Sequence, residues 1–552
     1  MGIILHNVAK YGLFVGTMGF GVAFASWLLL PDAFVRSRHS PQMISNSDLT
    51  LVVDAIDASF HKNWANAALS PAETVDSLLV ARRLSLGLAG TIPSTEEIRK
   101  LESIPRDSQV DWWVDRLLAD RRTSDQLAER FGRALVGVEN GPFIIYRRRR
   151  FANWLSDQIE QNVSFGQIAR SVIEDNGLWT DTPAVNFTTV TTDQGGTDNP
   201  DPIRLAARTS RAFLATRIDC LQCHDDFLGT VNLGQESDPR GGMQKDFHKL
   251  AAFYSQVRNS LAGIRDDLKA PSYQYQLLDQ DKTESILPAV PFRADLLPAE
   301  GSLRHRLAIW VTHPENAPFS RAIVNRVWAT MFGRPLVQPV DDIPLHGPFP
   351  KPLEILATDF ANHNYDLHRL IRIIASLEVF QIDSRLPNGI TPVHETSWAV
   401  YPMERLRPEQ MAGSVLQSTS LTTLDSTEHI VLRLVGFGQQ REFVDRYGDF
   451  GENEFASRSE TVAQRLLMLN GDMIRERIDG GLGSPNKLAV LAPNPEKALE
   501  IMYLATMSRR PDVEEQKRFG QKLKEAWPTD RSTAVTDLYW TLINSAEFCW
   551  SH

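Results

Sequence analysis

The run Ile218-Asp219-Cys220-Leu221-Gln222-Cys223-His224 gathers two thiols and an imidazole into a short stretch. C-x-x-C-H is the pattern by which haem is attached covalently in c-type cytochromes. The chemistry explains the spacing. Cys220 and Cys223 can bond the two vinyl groups at one porphyrin edge, and His224 is then carried beneath the iron as proximal ligand. The chain has only 3 cysteines, so two of them at this interval form a pattern.

Other chemistries fit the same residues. A thioredoxin-like redox pair needs C-x-x-C at the start of a helix that follows a strand, whereas the preceding residues 203–217 have helical spacing. Zinc is a second reading. Cys549 and His552 form a C-x-x-H pair, and with Cys220 and Cys223 they make up a Cys3His ligand set. A disulfide between Cys220 and Cys223, or free thiols, is a third. For a haem, the sixth ligand decides between electron transfer and ligand chemistry, and Met243 and His248 are the nearest donors in sequence. His248 equally suits an amphipathic helix, and Met243 a glycine-rich loop. Asp225 and Asp226 beside the motif either orient a ligand or face solvent.

In the second half, Asn325, Arg326, Asp341, Asp342, Arg405 and Glu409 would supply an acid and a base if one cleft gathered them. Ion pairs in a helical bundle use the same residues. No nucleophile elbow, H-E-x-x-H motif, phosphate-binding loop or Rossmann fingerprint occurs.

These groups must be positioned by 552 residues, more than one ordinary domain of roughly 100–200 residues. An apolar fraction of 42% is that of a folded protein, and a net charge of -10 argues against general nucleic-acid binding. The basic run 147–150 suits a solvated face or a partner for carboxylates. The uncharged stretch 11–30 opens on Tyr11 and closes on Leu30; as a helix it is ~30 Å long, enough for one membrane span. Ala23-Phe24-Ala25 resembles a cleavage site, but the apolar run continues through Trp27-Leu28-Leu29-Leu30, so an uncleaved anchor is expected. Gly12 and Gly16 have the spacing of close helix approach. Lys10 on one side and Arg36 and Arg38 on the other leave the orientation open. A covalent haem sets it, because attachment in bacteria takes place outside the cytoplasm.

The expected fold is mainly α: an N-terminal transmembrane helix followed by two largely helical domains with long irregular loops. Residues 1–40 form the anchor and its flank, 47–260 the domain with the C-x-x-C-H motif, 261–300 a proline-rich linker or small sheet, and 301–552 a companion helical domain. Apolar spacing predicts helices over 110–119, 151–161, 165–176, 243–254, 303–313, 321–332, 353–363, 366–376, 408–418, 496–508 and 512–526. Ser94-x-x-Glu97 is a capping box. The polar stretch 180–202 is expected as a long loop able to cover the motif.

Several runs carry a resemblance. In the first half they are Arg83-Leu-Ser-Leu-Gly-Leu-Ala-Gly-Thr-Ile-Pro93, Asn153-Trp154, Ser164-Phe165-Gly166-Gln167, Cys220-Leu-Gln-Cys-His-Asp225 and Asp246-Phe247-His248. In the second they are Val324-Asn325-Arg326-Val327-Trp328, Phe332-Gly333-Arg334-Pro335-Leu336-Val337, Asp341-Asp342, Arg405-Leu406-Arg407-Pro408-Glu409 and Asn544-Ser545-Ala546-Glu547-Phe548. Together they resemble the planctomycete cytochrome-like family with its companion C-terminal domain. The resemblance implies an extracytoplasmic protein with a C-x-x-C-H motif, and it implies no reaction. Members carry a second histidine two residues beyond the motif histidine, where this chain has Asp226, and Cys549 departs from the family pattern.

The favoured function is a membrane-anchored, periplasmic, c-type cytochrome-like protein, single-pass in the bacterial inner membrane. One haem c would be held by Cys220, Cys223 and His224, with Met243 or His248 distal, for electron transfer or as a subunit of a membrane redox complex. The alternatives are a non-redox structural or interaction subunit with zinc or a disulfide at Cys220 and Cys223, and an extracytoplasmic hydrolase.

Overall fold

A computed structural model describes residues 46–138, 146, 148–192, 199–235, 237–278, 282–420, 422–424, 443, 444, 446–448, 451, 455, 461–471, 485–527 and 529–552. The expected anchor at 11–30 lies outside the described residues, and no helix among the described residues is long and apolar enough to cross a membrane.

The protein is mainly helical. The first half holds α1 (Asn46–Asn66), α2 (Ser77–Leu84), α3 (Thr95–Glu102), α4 (Gln109–Leu118), α5 (Arg121–Val136), α6 (Arg148–Glu160), α7 (Phe165–Glu174), α8 (Pro202–Leu214) and α9 (Gln244–Ala251). The second half holds α10 (Leu303–Val311), α11 (Ala317–Phe332), α12 (Lys351–Asn362), α13 (Leu367–Ser376), α14 (Pro408–Ser418), α15 (Val462–Asn470), α16 (Pro495–Met507), α17 (Val513–Ala526) and α18 (Arg531–Ile543). Strands are short and pair as antiparallel ribbons: β1 (Asn232–Gln235) with β2 (Asp238–Gly241), β3 (Val257–Ser260) with β4 (Gly263–Asp266), β5 (Gln274–Tyr275) with β6 (Glu284–Ser285), and β7 (Glu404–Arg405) with β8 (Trp550–Ser551).

Local sequence sets many helix starts. The Ser94 hydroxyl accepts the Glu97 N–H at 3.0 Å while the Glu97 carboxylate accepts the Ser94 N–H at 2.9 Å, the reciprocal capping box expected of this spacing. Asp201 accepts the N–H of Ile203 at 2.8 Å ahead of Pro202 at the first turn of α8.

Apolar packing is continuous across residues 261–300. Every helix from α1 to α13 contributes to one apolar core that runs from Ile56 to Tyr401. Within it α7 packs on α10, α1 on α12 and α8 on α11, so helices of the second half close the apolar faces of the first. A second cluster joins α14 to α18 with Leu86 and Ile92. The break between the cores therefore falls after Tyr401. A π-helical turn, Ser85–Ala89, links the two. It approaches α11 so closely that a Cβ on Gly87 would stand 3.0 Å from the Met331 Cα.

Two other segments differ from expectation. Helix α5 was not foreseen, because Arg130 and Arg133 break its apolar stripe yet are buried. Within the polar stretch 180–202, Asn186, Thr188 and Thr191 are buried. Two of them bond locally, Thr191 Oγ1 donating to the Thr188 carbonyl at 2.9 Å and Asn186 Nδ2 to that of Pro183 at 2.8 Å.

Buried guanidinium groups tie distant segments together. Arg83, 1% exposed, donates from Nη1 to the carbonyls of Phe380 and Ile382, both at 2.8 Å, and from Nε to the main-chain oxygen of His552 at 2.8 Å. Its plane lies 3.7 Å from the Tyr401 ring. Burial pulls its pKa down to about 10, which leaves it charged at neutral pH. Arg304 is equally engaged: it donates to Asp266 Oδ1, the carbonyls of Ile173 and Asp175, and Asn176 Oδ1.

Replacing Arg83 with methionine keeps much of the volume and strands three acceptors. Arg83→Met is expected to cost at least ~3 kcal/mol in urea unfolding. A loss under ~1 kcal/mol would show that the guanidinium is not a structural hub.

Candidate functional site

The C-x-x-C-H run sits where α8 gives way to loops. Ala215 takes φ of 46° to end the helix, and the chain then forms a 3-10 turn over Asp219–Gln222. Ile218 and Leu221 point inward with 1% and 0% exposure, so the turn is pinned by the residues between and before the thiols. That leaves Cys220, Cys223 and His224 on the outside, with both thiols free. Burial and then the Asp226 carboxylate push the Cys220 thiol pKa up, so it rests as the thiol.

Helix α9 is the platform for this turn. Its first N–H, on Gln244, donates to Asp225 Oδ1 at 2.6 Å, and the Gln244 side-chain amide donates to the Gln222 carbonyl at 3.0 Å. His248 Nε2 donates to the same carbonyl at 3.0 Å, and its Nδ1 stands 3.0 Å from the Tyr273 hydroxyl. A carbonyl can only accept, so Nε2 carries the proton and Nδ1 accepts from Tyr273. Burial lowers the His248 pKa, and the Tyr275 ring stacks on it at 3.5 Å. Gly242, just before α9, closes the joint: a Cβ there would lie 2.6 Å from Leu221 Cδ1.

The structure assigns Asp226 a local task. Its carboxylate accepts the N–H groups of Val231 at 2.6 Å and Leu228 at 3.2 Å, together with the Thr230 hydroxyl at 3.2 Å. These donors, the Val231 N–H first, hold its pKa low. The loop it folds presents Phe227 and Leu228 at 79% and 87% exposure, and Phe227 stacks on His224 at 5.9 Å.

His224 Nδ1 lies 2.7 Å from the Asp225 carbonyl. It must donate there, which leaves the lone pair of the neutral ring on Nε2. A histidine that ligates a metal is oriented in this way, by a carbonyl on its other nitrogen. Of the two expected distal donors, His248 has both ring nitrogens engaged and Met243 is 42% exposed at the start of α9.

The zinc set is not assembled. Cys549 is buried in the second core cluster, His552 lies 3.6 Å from Glu547, and no group of three or more His, Cys, Asp or Glu among the described residues is placed to hold a metal ion.

The polar residues expected to share one cleft are divided. Asn325 clasps Val337, donating to its carbonyl at 2.8 Å and accepting its N–H at 3.0 Å. Glu409 pairs with buried Arg130 at 2.9 Å; against the upward push of burial, Arg130, Arg407 and Arg133 hold its pKa down to about 2. Arg326 and Asp341 line one cavity, and Arg405 lines another.

The second of these measures about 380 Å³ and gathers resemblance-bearing runs from both halves, Leu86 and Gly87 of the π-helical turn with Arg334, Arg405 and Arg407, beside Trp550. Sequence reasoning missed its most perturbed acid. Burial, then Arg334 opposing and Glu395 reinforcing, raises the Glu404 pKa to about 7. The signal in sequence was faint, a lone acid beside Arg405.

The geometry defines a helical protein of two apolar cores with a surface C-x-x-C-H turn, and comparison with known families divides the sequence at a different place, between 259 and 303. Residues 55–259 match the family model PSCyt2, a protein of unknown function (DUF1549), and residues 303–434 match PSD1, a protein of unknown function (DUF1553). The chain thus carries two planctomycete-associated domains that occur as a pair, and neither description assigns a haem or an activity. No curated protein and no solved structure matches it.

Glu404 supplies a pH test. Its folded pKa of about 7 exceeds the ordinary 4.5, so its contribution to stability is complete below the unfolded value and is lost as pH rises through the folded one. Between about pH 5 and about pH 8, wild type should lose ~2 kcal/mol more than Glu404→Gln in urea unfolding. Parallel profiles would place Glu404 in contact with water.

Proposed function

We propose that this chain is a membrane-anchored c-type cytochrome-like protein of the periplasm, with one covalent haem c on the C-x-x-C-H turn, acting in electron transfer or as a subunit of a membrane redox complex. The observation that carries this reading is His224, whose Nδ1 bond to the Asp225 carbonyl leaves Nε2 as the ligating nitrogen.

The remaining residues fit the group. Cys220 and Cys223 are free and exposed, as thioether formation requires. Phe227 and Leu228 supply exposed apolar surface beside the motif, surface that a porphyrin face would cover. When bound, haem supplies one-electron chemistry whose potential the axial ligands set. The protein's part is to hold the imidazole by a carbonyl, pin the turn through Leu221 and keep α9 beneath it. Recruiting His248 as distal ligand would break its bonds to Gln222 and Tyr273 and its stack on Tyr275, whereas Met243 is exposed at the edge of the same platform. Met243 is therefore the better distal donor. The stretch 11–30 serves as the anchor, and the site of haem attachment sets the body on the periplasmic side.

The test is a pyridine haemochrome spectrum with intact mass, on protein expressed with the periplasmic haem-attachment machinery and purified from membranes. A c-type spectrum with the added mass of one haem is expected, both lost in Cys220→Ala. Colourless wild-type protein without that mass, while a control cytochrome is loaded in the same cells, would overturn the proposal.

A further inference from the structure

Helix α11 ends at Gly333, whose φ of 80° turns the chain out of the helix and leads into Arg334. This turn is tight against β7: a Cβ on Gly333 would stand 2.8 Å from the Glu404 Cβ. On its other side Glu404 pairs with Ser551 across β7 and β8. A cation and an acid from separate parts of the chain are thereby set into the wall of one cavity of about 380 Å³. Sites for small molecules measure roughly 300–1,000 Å³.

Opposite charges in one wall attract, yet these two form no pair. Arg334 Nη2 donates to the Glu395 carbonyl at 2.7 Å, and its guanidinium lies 4.6 Å from the Trp398 ring. Those contacts hold it back from Glu404. Among the described residues, no hydrogen bond or ion pair joins the Glu404 carboxyl to Arg334 or to any other group. Burial therefore outweighs Arg334 and sets the Glu404 pKa at about 7. The other charged side chains of the wall are engaged or outward: Arg405 donates to the Tyr447 hydroxyl, Arg407 to Glu409 Oε1 at 3.0 Å, and Glu395 is exposed.

The gap between Glu404 and Arg334 fits a guest that carries both charges. A guanidinium takes a carboxylate through paired N–H bonds, and Arg334 Nε and Nη1 make no bond among the described residues. A carboxylate takes an ammonium through charge-assisted bonds, and an ammonium beside Glu404 would favour its ionised form. An α-amino acid presents the two groups within one small fragment. Leu86, Met403 and Trp550 add apolar surface to the same wall, suited to an aliphatic side chain.

We propose that this cavity binds a zwitterion, a free α-amino acid with an apolar side chain, its carboxylate on Arg334 and its ammonium on Glu404. The inference does not rest on haem and holds equally for the protein without it.

The experiment is thermal unfolding of the purified full-length chain at fixed pH and ionic strength. It is titrated with L-leucine, with N-acetyl-L-leucine, which lacks the ammonium, and with L-leucinamide, which lacks the carboxylate. The midpoint is expected to rise saturably with L-leucine, and half-saturation to need roughly tenfold more of either analogue. Glu404→Gln should erase the preference for L-leucine over N-acetyl-L-leucine, and Arg334→Gln the preference over L-leucinamide. No saturable rise with L-leucine, a rise shared equally by the three compounds, or preferences unchanged in both variants overturns the site. If Arg334→Gln does not fold, Glu404→Gln and the two analogues carry the comparison.

Discussion

A guanidinium buried away from water stays charged, so it must find acceptors wherever it is placed. This constraint governs how the two halves of the chain meet. Arg83 collects carbonyls from residues 380 and 382 and the main chain of residue 552. Arg82, its neighbour, reaches the carbonyl of Thr506. Arg304 gathers the end of α7 and the β4 strand, and Arg130 meets Glu409 across the cores. Beside the carboxylates of Asp266 and Glu409, the acceptors are carbonyls that helix ends and connections leave over. The arginines thus satisfy backbone that apolar packing alone would strand, and a chain of many short helices can bury its corners.

The same logic at smaller scale builds the C-x-x-C-H turn. Leu221 supplies the apolar anchor and α9 supplies the polar one, through Gln244 and His248 on a single carbonyl. The cysteines and His224 are outside because everything around them is used inside. Asp226 stands two residues beyond the motif histidine. Its two N–H bonds and one hydroxyl bond organise the next loop, a fixed acceptor beside the motif.

Much of this was legible in sequence, and the gaps have physical causes. Local signals were dependable: the Ser94 capping box and the helix over 408–418, which begins at Pro408 in its first turn, stand where spacing and capping put them. The motif's turn was legible because it is defined by contiguous residues. Helix α5 was not, since its buried face holds arginines whose acceptors lie elsewhere in the chain. The buried threonines near 190 were hidden because a polar run carries no signal of burial, and of them Thr191 bonds at short range. The role of His248 depends on Tyr273 and Tyr275, ring partners on a separate ribbon. Likewise, the polar residues expected in one cleft resemble one another in composition, and only the packing of α11 against α8 on one side and against the π-helical turn on the other divides them.

The bond from Arg83 to residue 552 joins positions 469 apart in the chain. At ~5–20 residues per second, their synthesis is separated by roughly 20 to 90 seconds. Throughout that interval α2 exists without one of the acceptors that settle its buried charge, and the strand partner of β7 has not yet been made. A chain wired in this way gains little by folding from its N-terminus as it emerges. Its native state becomes available late and all at once.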